Sequence, residues 1–197
     1  MTSIAPRAAV LALHWQVNVI KPEGFFGAML AEPVARGGVI ERAARFHEEA
    51  GVPVYFTRFT IPEGEGQLVR NTGFMRMTAD AQEVFRPDAP GARIIPEMAA
   101  GAQTVVDNQK LSGLAGNDLA ARLTEEGVDT LFVTGVATNL TVEQTARHGT
   151  DLGFTVHVVR DCVTAGTDEI HEASLANLDL ATAGCLTTQD ALALLRA

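Results

Sequence analysis

The chain has 197 residues, of which 47% are hydrophobic, and a formal charge of −9 at pH 7. Such a length and apolar content suit one domain with a substantial core, while the negative balance excludes nucleic acid and anionic membrane surfaces, which clustered Lys and Arg would have to hold. No apolar run approaches the roughly 20 residues of a membrane span, and MTSIAPR at the start lacks the apolar stretch of a secretory signal, so a cytoplasmic protein with small-molecule or protein partners is expected.

Residues 8–13, AAVLAL, form the first continuous apolar run and predict a buried strand that ends at His14, Trp15 and Gln16. Apolar residues at helical spacing follow over 32–50, and a second strand is predicted at 53–57. From 59 to 90 the chain is punctuated by Pro62, Gly64, Gly66, Gly73, Pro87 and Pro90. No strand or helix period survives there, which predicts a long irregular loop, and loops of that length inside a domain usually carry binding residues or act as lids. Further strands are predicted at 104–106, 130–134, 155–159 and 184–187, with helices at 117–126, 138–149 and 168–183. The runs LFVTG and VHVV lack polar alternation, as strands buried on both faces do. Alternating strands and helices predict an α/β fold, a three-layer sandwich around a doubly wound, mainly parallel sheet of about six strands, with residues 1–197 as a single domain. Ligands in such sheets sit beyond the strand C-termini where strand order reverses, and His14, Asn108 and Thr141 all fall at strand ends.

The segment 131–147, LFVTGVATNLTVEQTAR, carries the most chemistry. A strand ending in Gly135, a tight turn and a helix start aim one side chain and several unpaired N–H groups at a small volume. The side chain on the first helical turn is Thr141. Its hydroxyl is far less acidic than a thiol of pKa about 8.5, so a nucleophilic role needs a strong, aligned base. His14, with a reference pKa of about 6.5, suits that role; the other reading is that Thr141 caps or packs the helix start and His14 only hydrogen-bonds nearby. Trp15, Phe25 and Phe26 offer flat surfaces for a planar substrate, or pack between loop and sheet. Cys162 and Cys185 have no metal spacing and read as reduced structural thiols. His47, His148, His157 and His171 show no ligand spacing either, so no metal and no cofactor is expected.

GVATNLTVEQTAR at 135–147 resembles the active-site turn of the isochorismatase-like cysteine hydrolase superfamily, which includes nicotinamidases, N-carbamoylsarcosine amidohydrolases and isochorismatases. AAVLALHWQVN at 8–18 and PGARIIPEMAAGAQTVVDNQKLSGLAGNDLAARL at 90–123 match further family segments in the same order. The resemblance implies a catalytic Asp, Lys and Cys at the positions held here by His14, Asn108 and Thr141. It further implies backbone oxyanion donors at Ala137 and Thr141, a cis peptide between Val136 and Ala137, and assembly as a homodimer or higher homo-oligomer. Gln16 matches the amide that follows the family's Asp. The metal-binding branch has an Asp and several His after its second strand, whereas RFTIPEGEGQ has no His. Replacing Asp and Lys together leaves a site that can be neutral, which avoids an uncompensated buried charge. Lys110 lies two residues past the family's Lys position and would face the same side if the strand continued; otherwise it is a solvated lysine. Two functions are therefore expected as alternatives. One is a thiol-independent hydrolase or related enzyme acting on a small planar acid or amide, with His14 as general acid or base. The other is a non-catalytic relative that binds a small ligand or serves as an oligomeric partner subunit.

Overall fold

Alternate residues of strand β1 (Ala8–Leu13) enter two different cores in this computed structural model, which describes residues 7–197. Ala8, Val10 and Ala12 face one layer, and Ala9, Leu11 and Leu13 face the other. A strand so placed needs apolar side chains at every position, and AAVLAL supplies them. The remaining strands are β2 (Val54–Phe59), β3 (Thr104–Asn108), β4 (Thr130–Val136), β5 (Thr155–Thr164) and β6 (Cys185–Leu186). All pairings are parallel, in the order β3-β2-β1-β4-β5-β6. Strand order reverses at β1, where Leu13 is in register with Thr57 on one side and Gly135 on the other. The side chains that follow Leu13 and Gly135 therefore emerge at the switch point, where α/β sheets hold ligands.

Helices cover both faces. On one side α2 (Gly27–Gly37), α3 (Val39–Glu49) and α9 (Thr188–Leu195) contribute Leu30, Val34, Ala43, Phe46 and Leu192 to a core with Phe56 and Phe132. On the other, α6 (Leu119–Glu125), α7 (Glu143–Asp151) and α8 (Asp168–Ala181) bring Leu123, Ala146 and Leu178 against Leu11, Val133 and Val158. Burying each large aliphatic or phenyl side chain in these layers contributes roughly 1.5–3 kcal/mol. Short helices α1 (Val17–Ile20), α4 (Gly73–Asp80) and α5 (Pro96–Ala99) lie in the connections. No described helix is long and apolar enough to cross a membrane.

Several sequence expectations are corrected by the fold. The helix expected over 32–50 begins earlier, at Gly27, and is two helices, because Gly38 takes φ 57 between them and ends α2 with a left-handed cap. Segment 59–90 is not irregular throughout: α4 forms inside it, capped by the Thr72 hydroxyl accepting from Met75 N–H. Phe59, Ile61, Met75 and Phe85 bury a third small core beneath this segment, so tertiary burial organises what local pattern leaves open. The helix α9 was not expected from the sequence, although Thr187 caps it by accepting from Asp190 N–H.

Candidate functional site

The strand end at His14 departs from extended backbone. Its φ is 56, a left-handed conformation that costs a β-carbon residue roughly 1–2 kcal/mol. The turn is held by Gln16 immediately beyond. Gln16 is fully buried; its amide nitrogen donates to the carbonyls of Phe59 at 3.1 Å and Ala92 at 3.2 Å, and its oxygen accepts from Phe59 N–H at 2.6 Å. All these bonds join β1 to chain lying more than forty residues away, so Gln16 fixes where β1 ends and which way His14 leaves it.

The second wall comes from β4. Gly135 has φ 122, and a β-carbon there would lie 2.1 Å from the Leu13 carbonyl oxygen, so only glycine allows β4 to approach β1 so closely. The Val136–Ala137 peptide is cis. Thr138–Val142 then form a π-helical turn that leads into α7. The helix expected over 138–149 therefore starts one wide turn later than its sequence pattern suggests. Wide turns of this kind occur often at functional sites, and this one delivers Thr141 to the end of β1. Thr141 Oγ1 and His14 Nδ1 stand 3.2 Å apart, both residues buried.

His14 Nε2 has no hydrogen-bond partner among the described residues. Burial without a compensating charge lowers the pKa of His14 from 6.5 to about 4, so the ring is neutral at pH 7. It lines a cavity of about 40 Å³ together with Thr141, Ala137, Val136, Leu140, Phe26, Phe59 and Phe74, several times the ~10–15 Å³ that one water needs. Val19, Met29, Leu30, Thr78, Lys110 and Leu111 complete the lining. Its walls are thus apolar apart from His14, Thr78, Lys110 and Thr141. A neutral imidazole bonded through one nitrogen, with the other buried and unpartnered, can accept or donate a proton at that nitrogen according to its tautomer.

Of the residues expected at the site, His14, Thr141, Ala137 and Phe26 meet at this cavity, and Trp15, Gln16, Phe25 and Asn108 do not line it. Trp15 is fully buried in the layer packed by α3, edge-on to His47 at 6.5 Å between ring centroids; it leaves the strand end in another direction from His14 and has no face for a substrate. Gln16 is consumed by backbone bonds. Phe25 packs edge-on against Phe26 at 4.9 Å and Phe85 at 5.2 Å, outside the cavity. Asn108 is buried with both ends of its amide engaged: the nitrogen donates to the Ser112 carbonyl at 2.6 Å and the oxygen accepts from Lys110 N–H. It shapes the loop after β3 and presents nothing to the cavity.

Strand β3 stops at Asn108, yet Lys110 reaches the cavity wall from the loop beyond it. Phe59, Phe74 and Thr78 were not singled out by sequence; the hint was the placement of 59–90 as a long segment, with no period to say which side chains point inward. Neither cysteine lines the cavity, and burial pushes Cys162 up to about 12 and Cys185 up to about 11, so both are protonated thiols at neutral pH. Among the described residues no group of three His, Cys, Asp or Glu stands close enough to hold a metal ion.

Comparison with known proteins gives this geometry a context. The family model for the isochorismatase domain matches residues 8–190. The chain is 37% identical over 89 residues to the uncharacterized isochorismatase family protein YwoC of Bacillus subtilis (strain 168), covering 44% of this chain and 47% of that protein. It is 31% identical over 134 residues to nicotinamidase 3 of Arabidopsis thaliana, covering 66% of this chain and 64% of the relative. The matched stretches thus span between about half and two thirds of these relatives. Among solved structures, an isochorismatase family protein from Desulfovibrio vulgaris subsp. vulgaris str. Hildenborough superposes with a TM-score of 0.83 at 20% identity, covering 98% of this chain and 100% of that one; this likeness speaks for the fold.

Proposed function

This chain belongs to the isochorismatase family, and on that premise we propose that it is a hydrolase of a small planar amide or acid, working without a thiol and using His14 to carry the proton. The observation that carries this reading is the buried His14–Thr141 contact of 3.2 Å at the wall of an apolar cavity, with the second imidazole nitrogen buried and without a hydrogen-bond partner among the described residues. In the productive tautomer Nδ1–H donates to Thr141 Oγ1, which leaves the lone pair of Nε2 without a protein partner. A water attacks the amide carbonyl carbon as Nε2 takes its proton. The resulting tetrahedral oxyanion is stabilised by donors of the turn at Ala137 and Thr141. Nε2–H then gives the proton to the leaving nitrogen, the C–N bond breaks, and an acid and an amine depart. A ring with a pKa near 4 is a weak base for the first transfer but a strong acid for the second, so water attack is the slower step. The similarity to a nicotinamidase favours an amide over other substrates.

A non-catalytic ligand-binding role is the second reading, favoured by the same low pKa, which weakens His14 as a base. Turnover of a panel of small planar amides by wild type, His14→Asn and Thr141→Val decides between them. Loss of a general acid–base group is expected to lower kcat by roughly 100-fold or more, and loss of the hydroxyl that orients it by roughly tenfold. Activity at the wild-type level in both variants refutes the assigned site, whereas binding without turnover in wild type supports the second reading.

A further inference from the structure

A serine and a histidine outside the His14 cavity are bonded to each other in the wall of a wider groove. Ser112 Oγ and His148 Nδ1 stand 2.9 Å apart, and both residues line a groove of about 610 Å³, within the roughly 300–1,000 Å³ of small-molecule sites. The groove adjoins the His14 cavity, since Lys110 and Leu111 line both, but neither Ser112 nor His148 lines that cavity. Two fastenings hold the pair in register. The Ser112 carbonyl accepts from the Asn108 amide at 2.6 Å, and the next residue, Gly113, donates its N–H to Thr145 Oγ1 at 2.9 Å. Thr145 and His148 lie three residues apart on α7 and so share one face of it, which binds the loop after β3 to that helix at two successive residues. The hydroxyl is oriented as well. Leu114 N–H donates to Ser112 Oγ at 3.2 Å, which occupies one lone pair of the oxygen and leaves its proton for the imidazole. A serine that only caps a turn needs no more than the Leu114 bond; a further bond to a half-exposed histidine at a groove is the arrangement of a nucleophile and its base.

We propose that Ser112 and His148 form a second catalytic site, which hydrolyses small carboxylic esters through an acyl-serine, independently of the role given to His14. In the tautomer with its proton on Nε2, His148 accepts at Nδ1 from the Ser112 O–H. Oγ attacks the ester carbonyl carbon as its proton passes to Nδ1. The tetrahedral intermediate collapses, the C–O bond to the alcohol breaks, and the leaving oxygen takes the proton from Nδ1. Water then attacks the acyl-serine while Nδ1 takes its proton; the acid departs, and the proton returns to Oγ. Asn71, Gln144 and Arg147, also in the lining, carry N–H donors of the kind that stabilise the oxyanion. Among the described residues the His148 ring is hydrogen-bonded to Ser112 and not to a carboxylate, although Asp151 lines the groove. An imidazole without a carboxylate behind it is the weaker base, which suits esters, whose leaving alkoxide or phenolate departs readily, over amides.

Peptide mapping of wild type after treatment with phenylmethylsulfonyl fluoride tests the nucleophile without any variant. A sulfonyl adduct on Ser112 is expected; an adduct elsewhere, or none, overturns the proposal. Hydrolysis of p-nitrophenyl acetate, read as nitrophenolate release, tests the pair. Ser112→Ala and His148→Gln should each lower kcat/KM by roughly 100-fold or more, and His148→Gln should slow adduct formation by a similar factor. Ester hydrolysis at the wild-type rate in either variant overturns the proposal, as does hydrolysis that survives in Ser112→Ala but is lost in His14→Asn, which would assign it to the cavity. Should Ser112→Ala fail to fold, the adduct map and His148→Gln decide.

Discussion

The buried, neutral state of His14 makes stability depend on pH in a defined window. Burial lowers both His14 and His47 from 6.5 to about 4. As pH falls below 6.5 the unfolded chain binds protons at these rings while the folded chain does not, so unfolding becomes easier until about pH 4. The separation corresponds to roughly 3 kcal/mol per histidine at about 1.4 kcal/mol per pH unit. Between pH 6 and 5 each ring leaves the unfolded state richer by most of a proton, so wild type should lose roughly 2 kcal/mol across that interval. His157 and His171, also lowered chiefly by burial, act in the same direction. Urea denaturation from pH 7 to 5 measures the slope. In His14→Asn, chosen because Asn tolerates the left-handed backbone at this position, the loss should shrink by about 1 kcal/mol. A slope identical to that of wild type would refute the claim that His14 is held neutral by the fold. The same argument places the acid limb of any activity near pH 4, since the base form of His14 persists down to that pH.

Two further expectations rest on the surroundings of the cavity. Gly135→Ala would force a β-carbon to 2.1 Å from the Leu13 carbonyl at φ 122 and should destabilise by roughly 4 kcal/mol or prevent folding, whereas Gly153→Ala, at φ 97 with nothing within 4 Å, should cost only about 1–2 kcal/mol in the same urea assay; similar costs would dismiss the close approach of β4 to β1. Trp15→Phe, which removes a buried indole N–H that has no partner, should change stability by less than about 1.5 kcal/mol and leave the Kd for a cavity ligand unchanged, while a tenfold weaker Kd would return Trp15 to the binding surface.

The site was legible in part. His14 and Thr141 could be paired from sequence because the family resemblance puts them at its Asp and Cys positions; the apolar runs add only that His14, Asn108 and Thr141 all fall near strand ends. The roles of their neighbours could not. Gln16, Trp15 and Phe25 are ordinary candidates for a planar ligand until their partners are known. Those partners are the Phe59 and Ala92 backbone for Gln16, the α3 layer for Trp15, and Phe85 for Phe25, all supplied by distant chain. Asn108 and Lys110 exchanged prominence for a similar reason: the strand ends at Asn108, and alternation stops predicting side-chain direction where pairing stops.

The sequence by itself determined the α/β class, all six strands to within a few residues, and the turn after Gly135, since each is a local pattern: uninterrupted apolar runs for strands buried on both faces, helical spacing between them, and a glycine where a strand gives way to a helix start. Tertiary structure alone decided that Gly38 divides α2 from α3, that α4 forms within 59–90, and that His14, Thr141 and Lys110 line one cavity. Those outcomes depend on contacts between segments far apart in sequence, and on a left-handed backbone at His14 that no period of two or 3.6 residues encodes.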